Sequence, residues 1–532
     1  MNERLVEDWL AKVNERSYQI PFAQSLVAEG MDILRVGHGS HEHGKDIIAV
    51  DENGRIHAYQ LKDGNLDVGQ FERGLGQITA LVETQVEHPA ISGHPHHLPW
   101  LVISGQTSMP VEDRIRVHNL NWKKRGYKPL GLINGAQLLK KFTRMAANFW
   151  PMMPEDSRSL FNLYLADGRD PLDRGSLANL VVSTAAAKRS APKTETARRL
   201  CAANLFASYA LSPFYRSENH WELVQGWTIT AAQIAWIADR ARLREGVWRA
   251  TFRLAVGEAL TSLYALADEA LKPHALGPGG LELDELTRSR CTICAGAIAV
   301  RLLLGIRPGA RWDQERTAKE MLERLFSEGR LVVWGESAVP FFLAVVWALD
   351  NLRGDLLSDK VFFSVLSAVV HQNSRISAPK LPPPHDSADE ANAKALRRLF
   401  EKQRAMETQA AASYTLEPLV MLGARRMWRN VLATLWPPIT KTDIVRLVPD
   451  KPEDLLLWNW GYKRGSNQTR LFNAPQSWSA LLDDSRRSES DALPKVLRQE
   501  FDFALLFLLC FPHRLTRAVV KHLEEHTMSS RI

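Results

Sequence analysis

Apolar positions recur along the first 145 residues with two different periods. In Glu3–Asn14 and Pro21–Gly30 they follow the three- and four-residue spacing of a helix face. Asp46–Val50 and Arg55–Lys62 are instead short, apolar and β-branched, as strands are. Between these strands lies Asp51-Glu52-Asn53-Gly54, whose Asn-Gly pair suits the left-handed backbone of a hairpin turn. The spacing then predicts a helix over Val68–Val86, a strand over Leu98–Ser104 and a helix over Glu112–Lys124. A strand over Pro129–Asn134 and a helix opening at Gly135 complete the series. Mixed elements in this order imply an α/β domain over residues 1–145, a small mixed sheet flanked by helices.

Beyond residue 150 strand signals become scarce. Helical periodicity runs through Leu200–Tyr209, Ala231–Arg244, Val247–Leu271, Thr292–Leu304, Arg316–Glu328, Phe341–Leu352, Val361–Gln372 and Lys394–Ala412. Lys188–Thr196 reads as a linker or loop. Ser377–Asp389 is a clearer one, because Pro379, Pro382, Pro383 and Pro384 cannot sit in a helix interior. Pro437-Pro438 marks another break. These boundaries give a helical domain over 146–376, a Pro-rich loop over 377–392 and a helical carboxy-terminal region over 393–532. We find no fixed-period repeat, so a solenoid is not implied.

Composition adds limits to this picture. A chain of 532 residues is too long for one ordinary core, and 45% apolar with 24% charged residues is the balance of a folded protein. The net charge of +7 and a pI near 9.1 favour an anionic partner, although a modest excess of this kind is common. The amino terminus is charged from Glu3 onward and carries no apolar run, which argues against a secretory signal. The longest apolar runs, Ala338–Leu349 and Phe503–Phe511, fall short of the roughly 20 residues that span a bilayer. The four cysteines make no disulfide framework in a chain this size. The expected location is therefore the cytoplasm, with no membrane association.

The chemistry is concentrated in Gly44-Lys45-Asp46-Ile47-Ile48-Ala49-Val50, the turn, and Arg55-Ile56-His57-Ala58-Tyr59-Gln60-Leu61-Lys62. Side chains alternate across a strand, so Gln60 and Lys62 share a face, and a hairpin sets Asp46 beside them. Asp46 offers a hard carboxylate oxygen to Mg²⁺, Gln60 a neutral amide oxygen, and the main-chain carbonyl of Leu61 a third donor. Lys62 is then positioned to orient or deprotonate a water attacking a phosphodiester and to offset the charge that develops.

This arrangement resembles the PD-(D/E)xK nuclease superfamily, in particular the Mrr-like restriction endonucleases, in which a glutamine often replaces the acid two residues before the lysine. Asp46, Gln60 and Lys62 stand at the matching positions, over roughly a quarter of the chain. The resemblance implies a restriction-endonuclease-like fold and a Mg²⁺-dependent DNA endonuclease, with Mn²⁺ able to substitute. It further implies a role in restriction or anti-phage defence, in which the helical region senses a trigger, mediates assembly or binds a partner. Cutting both strands would require a homo-oligomer or a partner from the same system.

The family usually adds a glutamate from the first helix. Tyr18-Gln19-Ile20-Pro21-Phe22 offers Gln19 there, which leaves Glu29 or Glu42 as candidates for the fourth ligand. Lys45, Lys123, Lys124 and Arg125 are candidates for holding backbone phosphates, as are Lys140 and Lys141, against the ordinary reading of a solvated face. His38, His41 and His43 read as part of a loop near the scissile phosphate, and His88, His94, His96 and His97 as an exposed group. Cys291-Thr292-Ile293-Cys294 is a lone CxxC and reads as two packed thiols, because a zinc site needs a second ligand pair. Trp458-Asn459-Trp460-Gly461-Tyr462-Lys463-Arg464 interleaves aromatic and basic residues, suiting either base stacking or helix packing. Two other functions compete with a DNA endonuclease: a toxin-like ribonuclease, and an inactive nucleic-acid-binding or scaffold subunit.

Overall fold

A computed structural model of the chain describes all residues except 1–5, 8, 12, 38–43, 87, 89–90, 92–95, 146–153, 186–192, 274, 277–284, 306–311, 352–355, 375–379, 401–411, 460–463, 472–476, 488–491 and 530–532. Its amino-terminal part is a five-stranded mixed sheet in the order β1-β2-β3-β4-β5. The strands are β1 Asp32–Val36, β2 Ile47–Val50, β3 Ile56–Lys62, β4 Leu98–Ile103 and β5 Gly131–Ile133. The first three are antiparallel neighbours, whereas β3, β4 and β5 run parallel. Parallel strands need a crossover, and helices α2 (Val68–Glu83) and α3 (Met109–Lys124) supply the two.

Strand alternation decides which side each residue serves. Ile48, Ile56, Ala58, Leu101 and Ile103 form one core with Phe71, Ile78 and Leu81 of α2 and with Val111, Ile115 and Trp122 of α3. The opposite face is covered by α1 (Glu15–Ala28) and α4 (Gly135–Met145), where Phe22 meets Tyr59 edge-on at 5.2 Å. β3 lies between both layers, and its residues from Ile56 to Leu61 are all buried. Sheet and helices thus form three layers, as the apolar pattern predicts.

Two local differences from that pattern matter for the site. α1 begins at Glu15, six residues before Pro21, which lies inside it. The proline removes one backbone donor and suggests a helix start, but the flanking turns are held by buried side chains at Tyr18, Phe22 and Leu26. The edge strand β1 is also unforeseen, because Asp-Ile-Leu-Arg-Val is short, irregularly paired and only half-buried.

The chain divides into two compact units, Met1–Thr261 and Ser262–Ile532. In the first unit, helix α5 (Pro154–Tyr164), α6 (Arg174–Ala185), α7 (Lys193–Arg216), α8 (His220–Arg240) and most of α9 (Glu245–Ala270) follow the sheet. α7 packs along α1: Asn204 donates to the Gln24 amide oxygen at 3.1 Å, both residues being fully buried. Helices α5 to α8 and most of α9 therefore belong to the same unit as the sheet.

The second unit is mostly helical and includes α10 (Glu285–Gly305). It also contains a three-stranded sheet of β6 (Ala412–Ser413), β7 (Asp443–Pro449) and β8 (Gly465–Leu471), which the sequence pattern did not suggest. β8 reads Gly-Ser-Asn-Gln-Thr-Arg-Leu and lacks the apolar alternation that marks a half-buried strand. Pro437 and Pro438 occupy the last turn of the helix Arg429–Ile439, so the break falls just after them. Among the described residues no helix is long and apolar enough to cross a membrane.

Candidate active site

The hairpin β2–β3 and the start of α1 meet at one end of the sheet. The main-chain N–H of Asp46 donates to the Tyr59 carbonyl at 2.8 Å, which continues the hairpin pairing one residue beyond β2. Its side-chain Oδ2 accepts the Leu61 N–H at 2.6 Å. The aspartate thus bridges to the middle of the triplet Gln60-Leu61-Lys62. In a strand the N–H and C=O of one residue point the same way, so the Leu61 carbonyl is on the Asp46 side of β3.

Gln60 is 2% exposed. Its Nε2 donates to Gln77 Oε1 of α2 at 3.0 Å, whereas its Oε1 is buried without a hydrogen-bond partner. Buried polar atoms are normally paired, so this amide oxygen has acceptor capacity that the protein itself does not use. Gly44 makes this packing possible. Its φ is +72°, and a Cβ there would stand 2.7 Å from the Gln77 carbonyl oxygen.

The helix α1 contributes a face of Glu15, Tyr18, Gln19 and Phe22, spaced at three, four and seven residues. Glu15 Oε1 forms an ion pair with Lys62 Nζ at 3.0 Å, both side chains remaining about 30% exposed. The Tyr18 hydroxyl accepts the Lys62 N–H at 3.0 Å and lies 2.8 Å from the Lys62 carbonyl and 3.2 Å from that of Val102. It thereby fixes the ends of β3 and β4 to the helix. Burial pushes this phenol well above its ordinary pKa, and the carboxylates of Glu15, Asp46 and Asp63 push it further. Gln19 Nε2 donates to the carbonyls of Gly37 (2.9 Å) and Asp46 (3.1 Å) and holds the backbone around the aspartate.

The donor set fits a hard cation better than a soft one: two carboxylates, an orphaned amide oxygen and a main-chain carbonyl. Among the described residues no group of three or more His, Cys, Asp or Glu side chains is arranged to hold a metal. Sequence reasoning missed Glu15, Tyr18 and Gln77. Glu15 was legible in principle, one turn before Gln19 on the same helical face, once α1 is extended back through Pro21.

Several expected site residues lie elsewhere. Glu29 is at the far end of α1, about 20 Å along the helix from Glu15, and pairs with Lys141 at 2.6 Å. Glu42, His38, His41 and His43 lie outside the described residues. Lys45 is not a surface cation: it is 3% exposed, its Nζ lies 3.4 Å from the Ala80 carbonyl, and burial lowers its pKa to about 8. Lys123 and Lys124 are exposed, but α3 starts near the end of β4 and returns, so they are at the opposite end of the sheet from Lys62. Arg125 is beside them, clamped by both oxygens of Glu83 at 2.6 and 2.8 Å. The histidine group is not uniformly exposed either, since His97 is buried and its Nε2 is 2.7 Å from the Leu81 carbonyl.

In the second unit, Cys291 and Cys294 are free thiols on α10, and burial raises the pKa of both, that of Cys294 to about 12. That is the behaviour of packed rather than reactive sulfur. Trp458 is 8% exposed and packs edge-on against Phe511 and His513, so at this residue the aromatic motif serves the core. Residues 460–463 of that motif lie outside the described ones.

Comparison with family models, with curated proteins and with solved structures finds no match to this chain.

Proposed function

We propose that the amino-terminal sheet carries a Mg²⁺-dependent phosphodiesterase centre of the PD-(D/E)xK type, acting as a DNA endonuclease. The observation that carries this reading is the clasp of Asp46 onto Leu61, between Gln60 with its orphaned oxygen and Lys62 with its acidic partner. Asp46, Gln60 and the Leu61 carbonyl would hold the metal, and Glu15 supplies the first-helix acid that the resemblance calls for. When bound, Mg²⁺ supplies a Lewis acid that polarises a phosphoryl oxygen and lowers the pKa of a coordinated water.

The protein's own contribution is positional. Lys62, at the end of a rigid strand, offers ammonium donors to the attacking water and to the phosphoryl oxygens. Glu15 limits where that ammonium can go. Tyr18 ties the Lys62 backbone to α1, so strand end and helix move together. A hydrolytic centre gains from such fixation because small misplacements of reacting groups cost large factors in rate. A restriction-endonuclease-like fold, and a role in restriction or anti-phage defence, are part of the same reading.

The test is incubation of the purified chain with matched DNA and RNA, with Mg²⁺, with Mn²⁺ and with chelator. Metal-dependent cleavage of DNA is the expected outcome. Cleavage of RNA alone would move the reading to a ribonuclease. Binding without cleavage of either would leave an inactive nucleic-acid-binding subunit.

A further inference from the structure

On the face of the same sheet that α1 and α4 cover is a cavity of about 400 Å³, lined by Leu26, Glu29 and Met31, by His57, Tyr59, Trp100, Leu132 and Ile133 of the strands and their ends, and by Gln137, Lys140 and Lys141 of α4. Along β3 its lining residues Tyr59 and His57 are three and five residues from Lys62, roughly 10 and 17 Å of extended chain, and Trp100 is in register with Tyr59. Its volume lies within the range of small-molecule sites, roughly 300–1,000 Å³.

Three aromatic rings stand nearly parallel there. His57, Tyr59 and Trp100 have centroids 6.2–6.4 Å apart and interplanar angles of 10–19°. The rings are locked. Trp100 Nε1 donates to His57 Nδ1 at 3.1 Å, which leaves the His57 proton on Nε2, facing Asp51 Oδ2 at 3.4 Å. The Tyr59 hydroxyl points to the Met31 sulfur at 3.6 Å. Gly131 lies directly against Trp100, and a Cβ at that position would run into the indole ring. The sequence thus leaves out a side chain where one would displace the indole, and the indole stays only half-buried.

The rim of the cavity is polar and mixed in charge, with the Glu29–Lys141 pair and the exposed Lys140. A rigid aromatic wall, hydrogen-bonding groups at its edge and a solvated ammonium nearby match a flat heteroaromatic ring carrying an anionic substituent. We propose that this cavity binds the nucleobase of a nucleotide, stacked on Trp100, with its phosphate toward Lys140. The base can belong to a free mononucleotide or to a nucleic-acid strand. The proposal does not depend on the hydrolytic centre at Lys62.

The experiment is titration calorimetry on the 532-residue chain in chelator. The probes are the four nucleoside monophosphates, the corresponding nucleosides and a short single-stranded DNA, with the variants Trp100→Ala, Trp100→Phe, Gly131→Ala and Lys140→Gln. Wild type should bind a mononucleotide in the absence of metal. Trp100→Ala and Gly131→Ala should weaken binding by about 10–100-fold, the range expected for loss of one base–aromatic stack. Trp100→Phe should retain most of it, which separates loss of stacking from loss of fold, and Lys140→Gln should weaken nucleotides more than nucleosides. Binding of the oligonucleotide alone, with the same dependence on Trp100, would assign the base to a strand. Absence of binding by every probe, or binding that Trp100→Ala and Gly131→Ala leave unchanged, would overturn the proposal.

Discussion

Asp46 has two tasks, because the carboxylate proposed to hold the metal also accepts the Leu61 N–H at 2.6 Å. Replacing it by alanine leaves a strand donor without a partner, at a cost of about 1–3 kcal/mol. Replacing it by asparagine retains an acceptor and removes the charge. Asp46→Asn is therefore expected to keep the thermal midpoint close to wild type and to abolish metal-dependent cleavage, whereas Asp46→Ala loses both stability and cleavage. Thermal unfolding run beside a cleavage assay separates the two. Glu15 makes one ion pair on a half-exposed surface, and such pairs contribute little to stability. Glu15→Gln should accordingly unfold like wild type and cleave on the order of 10–100-fold more slowly. An unchanged rate would remove Glu15 from the site.

The hairpin β2–β3 is the element on which the site depends, and its turn is held by Asp51. The Asp51 carboxylate accepts the main-chain N–H groups of Arg55 (2.9 Å) and Asn53 (3.0 Å) and pairs with Arg55 Nε at 2.8 Å. These bonds, the Arg55 N–H first, lower its pKa from 3.8 to about 2. A depressed carboxylate stabilises the fold fully above its unfolded value, and that contribution disappears as pH falls toward 2. The urea midpoint of Asp51→Asn should therefore fall less steeply than that of wild type between about pH 4 and pH 2. At the other end of the hairpin, Gly44 occupies φ +72° against the Gln77 carbonyl. Gly44→Ala should destabilise by at least about 1–2 kcal/mol from backbone strain alone, read as a lowered thermal midpoint.

This element was also the most legible part of the sequence. Asn53-Gly54 and two apolar runs located the turn and both strands to within a residue, because hairpin chemistry is local. Glu15 and Gln77 were not legible in the same way. They reach the site through the packing of α1 and α2 on the sheet, and a proline at position 21 hid the first turns of α1. Lys45 failed for a related reason: a lysine beside Asp46 reads as a surface cation until the position of α2 is known. β8, with its polar residues, carries no local signal and is held by its register with β7.

At the scale of the whole molecule, the sheet does not end its core at residue 145. Buried Gln24 and Asn204 meet across α1 and α7, and Trp9 packs near Tyr209 with ring centroids 6.3 Å apart. A fragment of residues 1–145 would expose that face of α1 and is expected to aggregate or to unfold without a cooperative transition, whereas residues 1–270 should fold. Circular dichroism melts of the two fragments would show the difference. The helices that follow the sheet thus have a structural role in the first unit, whatever else they sense or bind.

The central claim is that Asp46, Gln60 and Lys62 form a hydrolytic centre, and Lys62→Ala tests it most directly. Lys62 is at the strand end, partly exposed, and its removal leaves the Tyr18 bonds to its backbone in place. In a single-turnover assay with DNA and Mg²⁺, the variant should fold as wild type does and cleave at least about 100-fold more slowly. Cleavage by Lys62→Ala at the wild-type rate would contradict the account.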